Sequence, residues 1–363
     1  MPRFLHTADW QLGLSLGRLK DDRGARARNQ RFETVQRIAT LADEHAVDAV
    51  VVAGDVFDDN GVGPHHIQAL RDALRTFTCP VLLLPGNHDP ATADSALRRL
   101  APAEHGLDHV HLLLTDAPVD IGDATYVPAP LFRRQSPRDP CAALPDRGDD
   151  TRVRVAIAHG AVHDFSQGTD PNHCIDLQAV LAKGFDFVAL GDWHGLKTVD
   201  PRAAYSGTHE ATKFSEKNPG QVLLVDIPEA GAVPHVEVLP VARTQWRTFE
   251  PRDLTSAADV DALLDELDRL EERSWTLVQL RLSGTLSLAE RSRLVEALEV
   301  HEGELLHLDA DLSEVRQELS DAELELLETP GFLGSTIEAL KDLESPDADQ
   351  ALFTLVHLIR GAA

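Results

Sequence analysis

Short apolar runs alternate with helix-like patterns over the first two-thirds of the chain. Apolar runs bounded by turn residues predict buried β-strands at Phe4–Thr7, Ala49–Ala53, Val81–Leu84, Val153–Ala158, Phe187–Leu190 and Val222–Val225. Apolar residues at helical spacing predict two helices, one carrying Phe32, Val35, Ile38, Ala39 and Ala42, the other Ile67, Leu70 and Leu74. This alternation predicts an α/β layered fold, and the periodicity leaves open whether the strands form one sheet or two.

The pattern changes near Arg243. Five apolar residues at helical spacing predict an acidic amphipathic helix: Val260, Leu263, Leu264, Leu267 and Leu270. A predicted strand at Leu277–Leu282, a helix from about Leu288 to Val300 and a strand at Leu305–Leu308 complete a small α/β domain. Two amphipathic helices are predicted in the tail, at Ala322–Leu327 and Ala351–Ile359. We therefore predict three segments, residues 1–243, 244–318 and 319–363.

The composition is typical of a globular protein. Hydrophobic residues make up 43% of the 363, and no apolar run approaches the roughly 18–20 residues that cross a bilayer. The N-terminus runs straight into the first predicted strand, without the basic and apolar regions of a signal peptide. Cys79, Cys141 and Cys174 match neither a disulfide framework nor a zinc ribbon. We therefore expect a cytoplasmic protein with no membrane partner.

The formal net charge of -26 bears on the choice of partner. A protein that binds a polyanion over many phosphates is usually basic. The residues from Trp246 onward hold 27 of the 60 acidic side chains but only 10 of the 34 basic ones. Because this second part would repel nucleic acid, any such binding is expected on an arginine-rich face of the first part.

Five polar motifs follow predicted strands. They are His6–Gln11, Gly54–Asp58, Gly86–Asp89, Ala158–Gly160 and Gly191–His194. Each contributes a carboxylate, an imidazole or a side-chain amide, and such oxygen and nitrogen donors bind divalent metals. One motif alone is more often a turn or a buried histidine, whereas five at strand ends predict a shared metal site. Cysteine takes no part, which argues against structural zinc.

The order and spacing of these motifs resemble those of the calcineurin-like metallophosphoesterases. Three stretches are similar to the branch of SbcD-type DNA repair nucleases: Leu5–Trp10 (LHTADW), Val51–Asp58 (VVAGDVFD) and Tyr205–Thr208 (YSGT). The resemblance covers about residues 1–241. It implies a two-sheet metallophosphoesterase sandwich of the α/β class, with a smaller α/β capping domain and C-terminal helices.

The resemblance also implies two divalent metal ions, with Mn2+ favoured and Mg2+ left open. Carried over by position, one ion would have the ligands Asp9, Gln11, Asp55 and His194. The second would have the ligands Asp55, Asn87, His159 and Asp192, so that Asp55 bridges the pair. His88 resembles the catalytic histidine of the family, which stabilises the scissile phosphate or protonates the leaving oxygen. Asp89 would orient the imidazole of His88.

Three positions depart from the family pattern. Gln11 and Asp192 each stand where a histidine is usual, and His209 stands where relatives tend to have proline. A glutamine amide is a weaker ligand than imidazole, whereas an aspartate adds a hard oxygen and shifts preference towards Mn2+ or Mg2+. Because Asp55 and Asn87 are both present, we expect an altered but working centre.

The first motif is followed by a basic segment. Between Arg18 and Arg37 lie seven basic residues and three acidic ones. Four of these arginines are candidate contacts to a phosphate backbone: Arg18, Arg23, Arg26 and Arg28. A solvated helix face explains the segment equally well. His209 is a further candidate substrate contact, and two alternatives are open, a metal ligand and a residue that contacts neither metal nor substrate.

The resemblance implies a DNA exonuclease and endonuclease in repair. Its implied partners are DNA, an SbcC-like SMC ATPase bound by the tail, and a second copy of the chain in a homodimer. Packing of the tail helices onto their own domain is an equally open alternative to ATPase binding. One alternative keeps the metal centre and changes the substrate to a small molecule, such as a cyclic nucleotide or a phosphomonoester. Another alternative is a non-catalytic partner subunit whose substitutions have abolished metal binding.

Overall fold

The computed structural model describes residues 1–17, 19, 21–162, 172–318, 332–343, 345, 348, 351, 354 and 355. The chain divides into two compact units, Met1–Thr244 and Gln245–Ala363. The division into three segments stays a prediction. Within the described residues, no helix combines the length and the apolar character that a bilayer crossing needs.

The first unit contains both strands and helices. Its strands are β1 (Arg3–Thr7), β2 (Ala49–Val52), β3 (Val81–Leu83), β4 (Val110–Leu112), β5 (Val119–Ile121), β6 (Ala124–Ala129), β7 (Val153–His159), β8 (Ala161–Val162), β9 (Cys174–Ile175), β10 (Phe187–Gly191), β11 (Lys197–Asp200), β12 (Ala203–Tyr205), β13 (Gln221–Asp226) and β14 (His235–Pro240). Its helices are α1 (Asp21–Glu44), α2 (Pro64–Leu74) and α3 (Leu177–Ala182).

These strands form two six-stranded sheets. The first sheet has the order β14-β13-β1-β2-β3-β4, and the second has the order β11-β12-β10-β7-β6-β5. The central strands of each sheet run parallel. The two-sheet fold implied by the resemblance is therefore confirmed. So are the six predicted strands, which correspond to β1, β2, β3, β7, β10 and β13, and the two predicted helices, which lie within α1 and α2.

The apolar core of the first unit lies on both sides of each sheet. Between the sheets, Phe4 packs edge-on against Tyr126 and Phe187, with ring centroids 5.7 and 5.9 Å apart. The next residue along β1, Leu5, faces the opposite side, where α1 and α2 cover the first sheet. Helix α3 covers the second sheet around Val188. Because both faces are buried, the central strands appear in the sequence as continuous apolar runs.

The second unit is a small parallel α/β structure. It contains β15 (Gln245–Thr248), β16 (Arg252–Leu254), α4 (Ala257–Asp268), β17 (Thr276–Ser287), α5 (Leu288–Glu304), β18 (His307–Glu318) and α6 (Phe332–Lys341). Strands β15, β16 and β18 all pair in parallel with β17. Helix α5 begins with a capping box in which Ser287 and Glu290 bond to each other's backbone. The predicted order of helix, strand, helix and strand is confirmed.

The predicted tail is only partly within the described residues. The helix predicted at Ala322–Leu327 lies outside them, as does most of the helix predicted at Ala351–Ile359. Helix α6 was not predicted from the sequence. The three cysteines are free thiols, in agreement with the absence of a disulfide pattern.

A buried histidine joins the two sheets, and it makes stability depend on pH. Nε2 of His6 on β1 lies 3.1 Å from the carbonyl oxygen of Leu190 on β10. Burial lowers the pKa of His6 to about 3, whereas a histidine in an unfolded chain titrates near about 6.5. Below about pH 6.5 the unfolded chain therefore binds the extra proton, and acid favours unfolding.

We predict that His6→Gln weakens this acid sensitivity. Glutamine keeps an amide donor for Leu190 but does not titrate. As the pH falls from 7 to 5, the free energy of unfolding of the wild type decreases more steeply than that of the variant, by up to about 1.4 kcal/mol per pH unit. Urea unfolding followed by circular dichroism measures both slopes. Equal slopes would show that His6 is not held neutral in the folded chain.

Candidate metal centre

The residues predicted to bind metal all lie at or just beyond the carboxyl ends of parallel strands. In the first sheet, the loops after β1, β2 and β3 carry Asp9, Gln11, Asp55 and Asn87. In the second sheet, β7 and the loop after β10 carry His159, Asp192 and His194. Parallel strands bring their carboxyl ends to the same edge of a sheet, so these side chains converge.

The backbone of this edge is held in an unusual conformation. The loops after β1 and β2 run side by side, with the amides of Asp9 and Gln11 donating to the carbonyls of Gly54 (3.0 Å) and Asp55 (2.8 Å). Asp9, Gln11, Asp55 and Asp192 all have positive φ, at 52°, 40°, 51° and 101°. Such conformations cost non-glycine residues about 1–3 kcal/mol each and cluster at functional sites.

One glycine allows two of the loops to approach each other. A Cβ on Gly86, after β3, would lie 2.1 Å from Oδ1 of Asp55. Any side chain at this position would displace the Asp55 carboxylate. The glycine of the Gly86–Asp89 motif is therefore required for the close approach of the β2 and β3 loops.

Asp9, Asp55 and His159 form the centre of the cluster. Each is buried, and each offers a ligand atom within 4.8 Å of those of the other two. Nδ1 of His159 donates to the carbonyl of Ala53 at 2.9 Å, which leaves Nε2 to face the cluster. Nε2 of His159 lies 3.5 Å from Oδ1 of Asp55 and 3.1 Å from Oδ1 of Asn87.

The charges of this cluster fit a divalent cation. Burial raises the pKa of Asp9, and the charges of Asp55 and Asp192 act in the same direction. Burial lowers the pKa of His159, but the neighbouring carboxylates outweigh it and raise this pKa to about 9. Negative oxygen donors packed together out of water are stabilised by positive charge, and oxygen with imidazole nitrogen suits divalent metals.

Gln11, His194 and Asp192 adjoin this cluster. Nε2 of Gln11 lies 3.2 Å from Nε2 of His194, and a half-turn of the amide brings its oxygen to the same place. The backbone amide of Asp192 donates to Oδ1 of Asp9 at 3.1 Å, and Oδ1 of Asp192 lies 3.8 Å from Nε2 of His159. The structure thus brings all seven predicted metal-ligand residues into one region.

Sequence reasoning missed one residue of this site, Glu216. Its Oε1 lies 2.6 Å from Nδ1 of His194, and its Oε2 accepts a hydrogen bond from the amide of Thr212. Burial favours the protonated form of Glu216, but the bonds from His194 and Thr212 outweigh it and lower its pKa. A carboxylate on the far nitrogen of a histidine fixes which nitrogen faces a metal. No spacing rule links Glu216 to His194, so the sequence carried no signal for it.

His88 lies at the exposed side of the cluster. Its Nδ1 donates to the carbonyl of Asp58 at 2.7 Å, and its backbone amide donates to Oδ1 of Asp55 at 2.9 Å. Nε2 of His88 lies 3.9 Å from Oδ2 of Asp55. About a third of the His88 side chain is exposed, so its ring is open to a bound substrate.

The expectation that Asp89 orients His88 is wrong. Both oxygens of the buried Asp89 accept backbone hydrogen bonds, from Phe57 at 2.9 Å and from Gly86 at 2.8 Å. Burial raises the pKa of Asp89. Its carboxyl group ties the β2 and β3 loops together, and the carbonyl of Asp58 orients the imidazole of His88 instead.

The expectation that His209 contacts substrate is also wrong. The His209 side chain has no exposed surface, and its Nε2 lies 2.9 Å from the carbonyl oxygen of Arg31 on α1. The His209 ring packs near that of Trp10, with centroids 6.0 Å apart. The loop after β12 lies directly against α1, which removes His209 from any surface that a substrate reaches.

The candidate phosphate contacts stay predictions. Arg18 lies outside the described residues. On α1, Arg26 is exposed, whereas Arg23 and Arg28 are half-buried. Arg28 donates to the carbonyl of Ser15 at 3.0 Å, which places it over the loop that leads from the metal motif into α1.

Comparisons with known proteins agree with this geometry. The sequence model of the calcineurin-like phosphoesterases matches residues 2–196. The SbcD subunit of the nuclease SbcCD from Bacillus subtilis (strain 168) is 26% identical over an alignment of 343 residues, and the match covers 81% of this chain and 83% of the relative. The SbcD subunit from Escherichia coli (strain K12) is 24% identical over 355 residues, with 82% of each chain covered.

A third relative carries a different name. "DNA double-strand break repair protein Mre11" of Halobacterium salinarum is 29% identical over an alignment of 232 residues, and the match covers 60% of this chain and 54% of the relative. The family match spans more than half of the chain and includes all five polar motifs in full. The last motif, Gly191–His194, ends two residues before the match does. The chain belongs to the calcineurin-like phosphoesterase family.

Proposed function

We propose that this protein is a metal-dependent nuclease that hydrolyses phosphodiester bonds of DNA in repair. The observation that carries the proposal is the buried cluster of Asp9, Asp55 and His159, with the ring of His88 on its exposed side. Membership of a phosphoesterase family fixes the class of bond. The names of the relatives, a nuclease subunit and a double-strand break repair protein, support DNA as the substrate.

The proposed centre would hold two ions, with Asp55 as a ligand common to both. One ion is assigned the ligands Asp9, Gln11, Asp55 and His194, and the other Asp55, Asn87, His159 and Asp192. The assignment is supported by two convergent pairs, Gln11 with His194 at 3.2 Å and Asn87 with His159 at 3.1 Å. When bound, such a metal pair neutralises charge on a phosphodiester and makes water a stronger nucleophile. The high share of oxygen donors favours Mn2+, with Mg2+ as the second choice.

His88 is the proposed proton donor to the leaving oxygen. Because its Nδ1 donates to the carbonyl of Asp58, its Nε2 is the nitrogen left to exchange a proton with substrate. The backbone amide of His88 also donates to Oδ1 of Asp55, which ties the backbone of His88 to this carboxylate. His159 is held in the same manner, since its Nδ1 donates to the carbonyl of Ala53.

The proposed partners follow from the relatives and from charge. Two relatives are named as subunits of a complex, and we propose an SMC-type ATPase as the partner, bound by the C-terminal segment. We also propose that two copies of this chain form a homodimer. The arginines at the start of α1 are the proposed contacts to the DNA backbone, because Arg23, Arg26 and Arg28 lie on the helix that follows the first metal motif.

We predict that His88→Ala abolishes most DNA cleavage in Mn2+. Loss of a proton donor lowers kcat by about 10²–10⁴-fold, whereas metal binding is retained because His88 is not an assigned ligand. Cleavage of end-labelled duplex and single-stranded DNA measures the effect, beside hydrolysis of bis(p-nitrophenyl) phosphate. His65→Ala is the matched control, since His65 is an exposed histidine on α2; it is expected to retain full activity.

Three results would contradict the proposal in different ways. Wild-type hydrolysis of the small diester without cleavage of DNA would favour a small-molecule phosphoesterase. No hydrolysis of either substrate in Mn2+, Mg2+ or Zn2+ would favour a non-catalytic subunit. Equal activity of wild type and His88→Ala would remove His88 from the reaction while leaving the metal centre in place.

We predict that Asp192→His changes the metal preference. Replacing a hard carboxylate oxygen by an imidazole nitrogen raises the affinity for Zn2+ relative to Mn2+ by at least severalfold. Competition calorimetry with the two ions measures this ratio. Asp123→His is the control, because Asp123 is an exposed aspartate in the turn between β5 and β6. An unchanged ratio in Asp192→His would show that Asp192 does not bind the metal.

A further inference from the structure

One arginine of the basic segment is buried. Arg31 lies in the second half of the Arg18–Arg37 run, on α1, and only 2% of its surface is exposed. It is one of the seven basic residues counted in that segment, yet its guanidinium points into the first unit. Burial lowers the pKa of Arg31 to about 10, so the side chain remains charged at neutral pH.

The guanidinium of Arg31 holds a single peptide group with two of its N–H groups. Nη2 and Nε of Arg31 both donate to the carbonyl oxygen of Trp10, at 2.7 and 3.2 Å. Two donors from one planar group fix both the position and the direction of the acceptor. A charged donor in a buried position also makes a strong hydrogen bond to a neutral carbonyl.

The same guanidinium holds the loop after β12. Nη1 of Arg31 donates to the carbonyl of Glu210 at 2.8 Å and lies 3.4 Å from that of Ala211. Nη2 lies 3.4 Å from Oγ1 of Thr208. The carboxylate of Glu210 is itself buried and accepts hydrogen bonds from Thr34 and from the amide of Arg243. Arg31 therefore connects α1 to two loops, the one after β1 and the one after β12.

The peptide that Arg31 holds lies between two proposed metal ligands. Trp10 separates Asp9 from Gln11, and both neighbours have the left-handed backbone conformation. Oγ1 of Thr208 lies 2.8 Å from the carbonyl of Asp9, and the amide of Gln11 donates to Asp55. The Trp10 carbonyl is fixed as well, by Arg31. These hydrogen bonds together oppose a rotation of the loop that would turn the side chains of Asp9 and Gln11 away from the cluster.

We propose that Arg31 is a positioning residue of the metal centre, which holds the Trp10 peptide so that Asp9 and Gln11 face the same ion. The inference rests on the proposed function only as far as Asp9 and Gln11 bind metal. Arg31 does not touch the metal or the substrate. Its effect on metal affinity is transmitted through the backbone, as for other groups that orient ligands.

A second buried arginine provides a matched control. Arg154, at the start of β7, is 3% exposed. Its guanidinium also bonds backbone carbonyls, those of Lys183 at 3.1 Å and Pro145 at 2.8 Å. Arg154 lies at the opposite end of β7 from His159, away from the metal ligands. Replacement of either arginine disturbs a comparable set of buried contacts, but only one of them supports the Asp9–Gln11 loop.

The test compares Arg31→Lys with Arg154→Lys. Lysine keeps the positive charge but lacks the planar fork, so it cannot hold one carbonyl with two donors while reaching Glu210. Calorimetric titration with Mn2+ alone gives the metal affinity, and thermal unfolding in EDTA gives the stability of the metal-free chain. We expect both variants to lose stability, and only Arg31→Lys to bind Mn2+ about 10–100-fold more weakly.

The outcomes separate this inference from the proposed function. Equal Mn2+ affinity of Arg31→Lys and Arg154→Lys would overturn the positioning role, even if the wild type cleaves DNA. Suppose that Mn2+ binding weakens only in Arg31→Lys and that the wild type does not cleave DNA. This pair of results would support the positioning role and remove the nuclease assignment. A wild type that binds no Mn2+ would overturn both. If Arg31→Lys does not fold, Arg31→Gln, which keeps an amide donor, is expected to show the same selective loss.

Discussion

Two buried carboxylates, Asp9 and Asp55, lie close together where the carboxyl ends of both sheets meet, and the rest of the site is arranged around them. Negative groups without water cost free energy unless positive charge is near. In the metal-free chain a protonated His159, whose Nε2 lies 3.5 Å from Oδ1 of Asp55, supplies part of that charge. A bound metal ion would take over this role, and His159 would then lose the proton from Nε2 and bind the ion through that nitrogen. The remaining donors, which are amide oxygens and imidazole nitrogens, complete a set that suits divalent ions. Such a site suits a phosphoesterase, because bound cations would stabilise the negative charge of a phosphodiester as well as that of the carboxylates.

Several polar residues hold the site without belonging to the ligand set. Asp89 joins the β2 and β3 loops through two backbone amides, Glu216 fixes the ring of His194, and Arg31 holds the peptide of Trp10. The left-handed backbone at Asp9 and Gln11 would relax without such restraints. Buried polar side chains in this protein therefore have a structural role near the centre. His209, which bonds α1 rather than a substrate, is a further example.

The sequence predicted six strands of the two sheets, because strands buried on both faces appear as continuous apolar runs. It missed β6, which is buried throughout, because Thr125 and Pro128 interrupt the apolar run of that strand. It did not predict short strands at the sheet edges, such as β5 and β11, whose alternating exposure leaves too few apolar positions. The order of the motifs correctly predicted which loops converge, because parallel strands place their carboxyl ends on one edge of a sheet. The sequence did not predict the direction in which a side chain points within a loop. Asp58, rather than the adjacent Asp89, contacts the His88 ring, and Glu216 reaches His194 from a separate segment.

If Asp55 is a ligand of both ions, as proposed, its replacement should change the metal content of the chain. Wild type, Asp55→Asn and Asp59→Asn would be equilibrated with Mn2+, separated from free ion by gel filtration and analysed by inductively coupled plasma mass spectrometry. Asp59 is an exposed neighbour of the motif and serves as the control. We expect two Mn2+ per chain in the wild type and in Asp59→Asn, and loss of both ions in Asp55→Asn, because one carboxylate would serve both positions. Two ions retained in Asp55→Asn would contradict this shared role of Asp55.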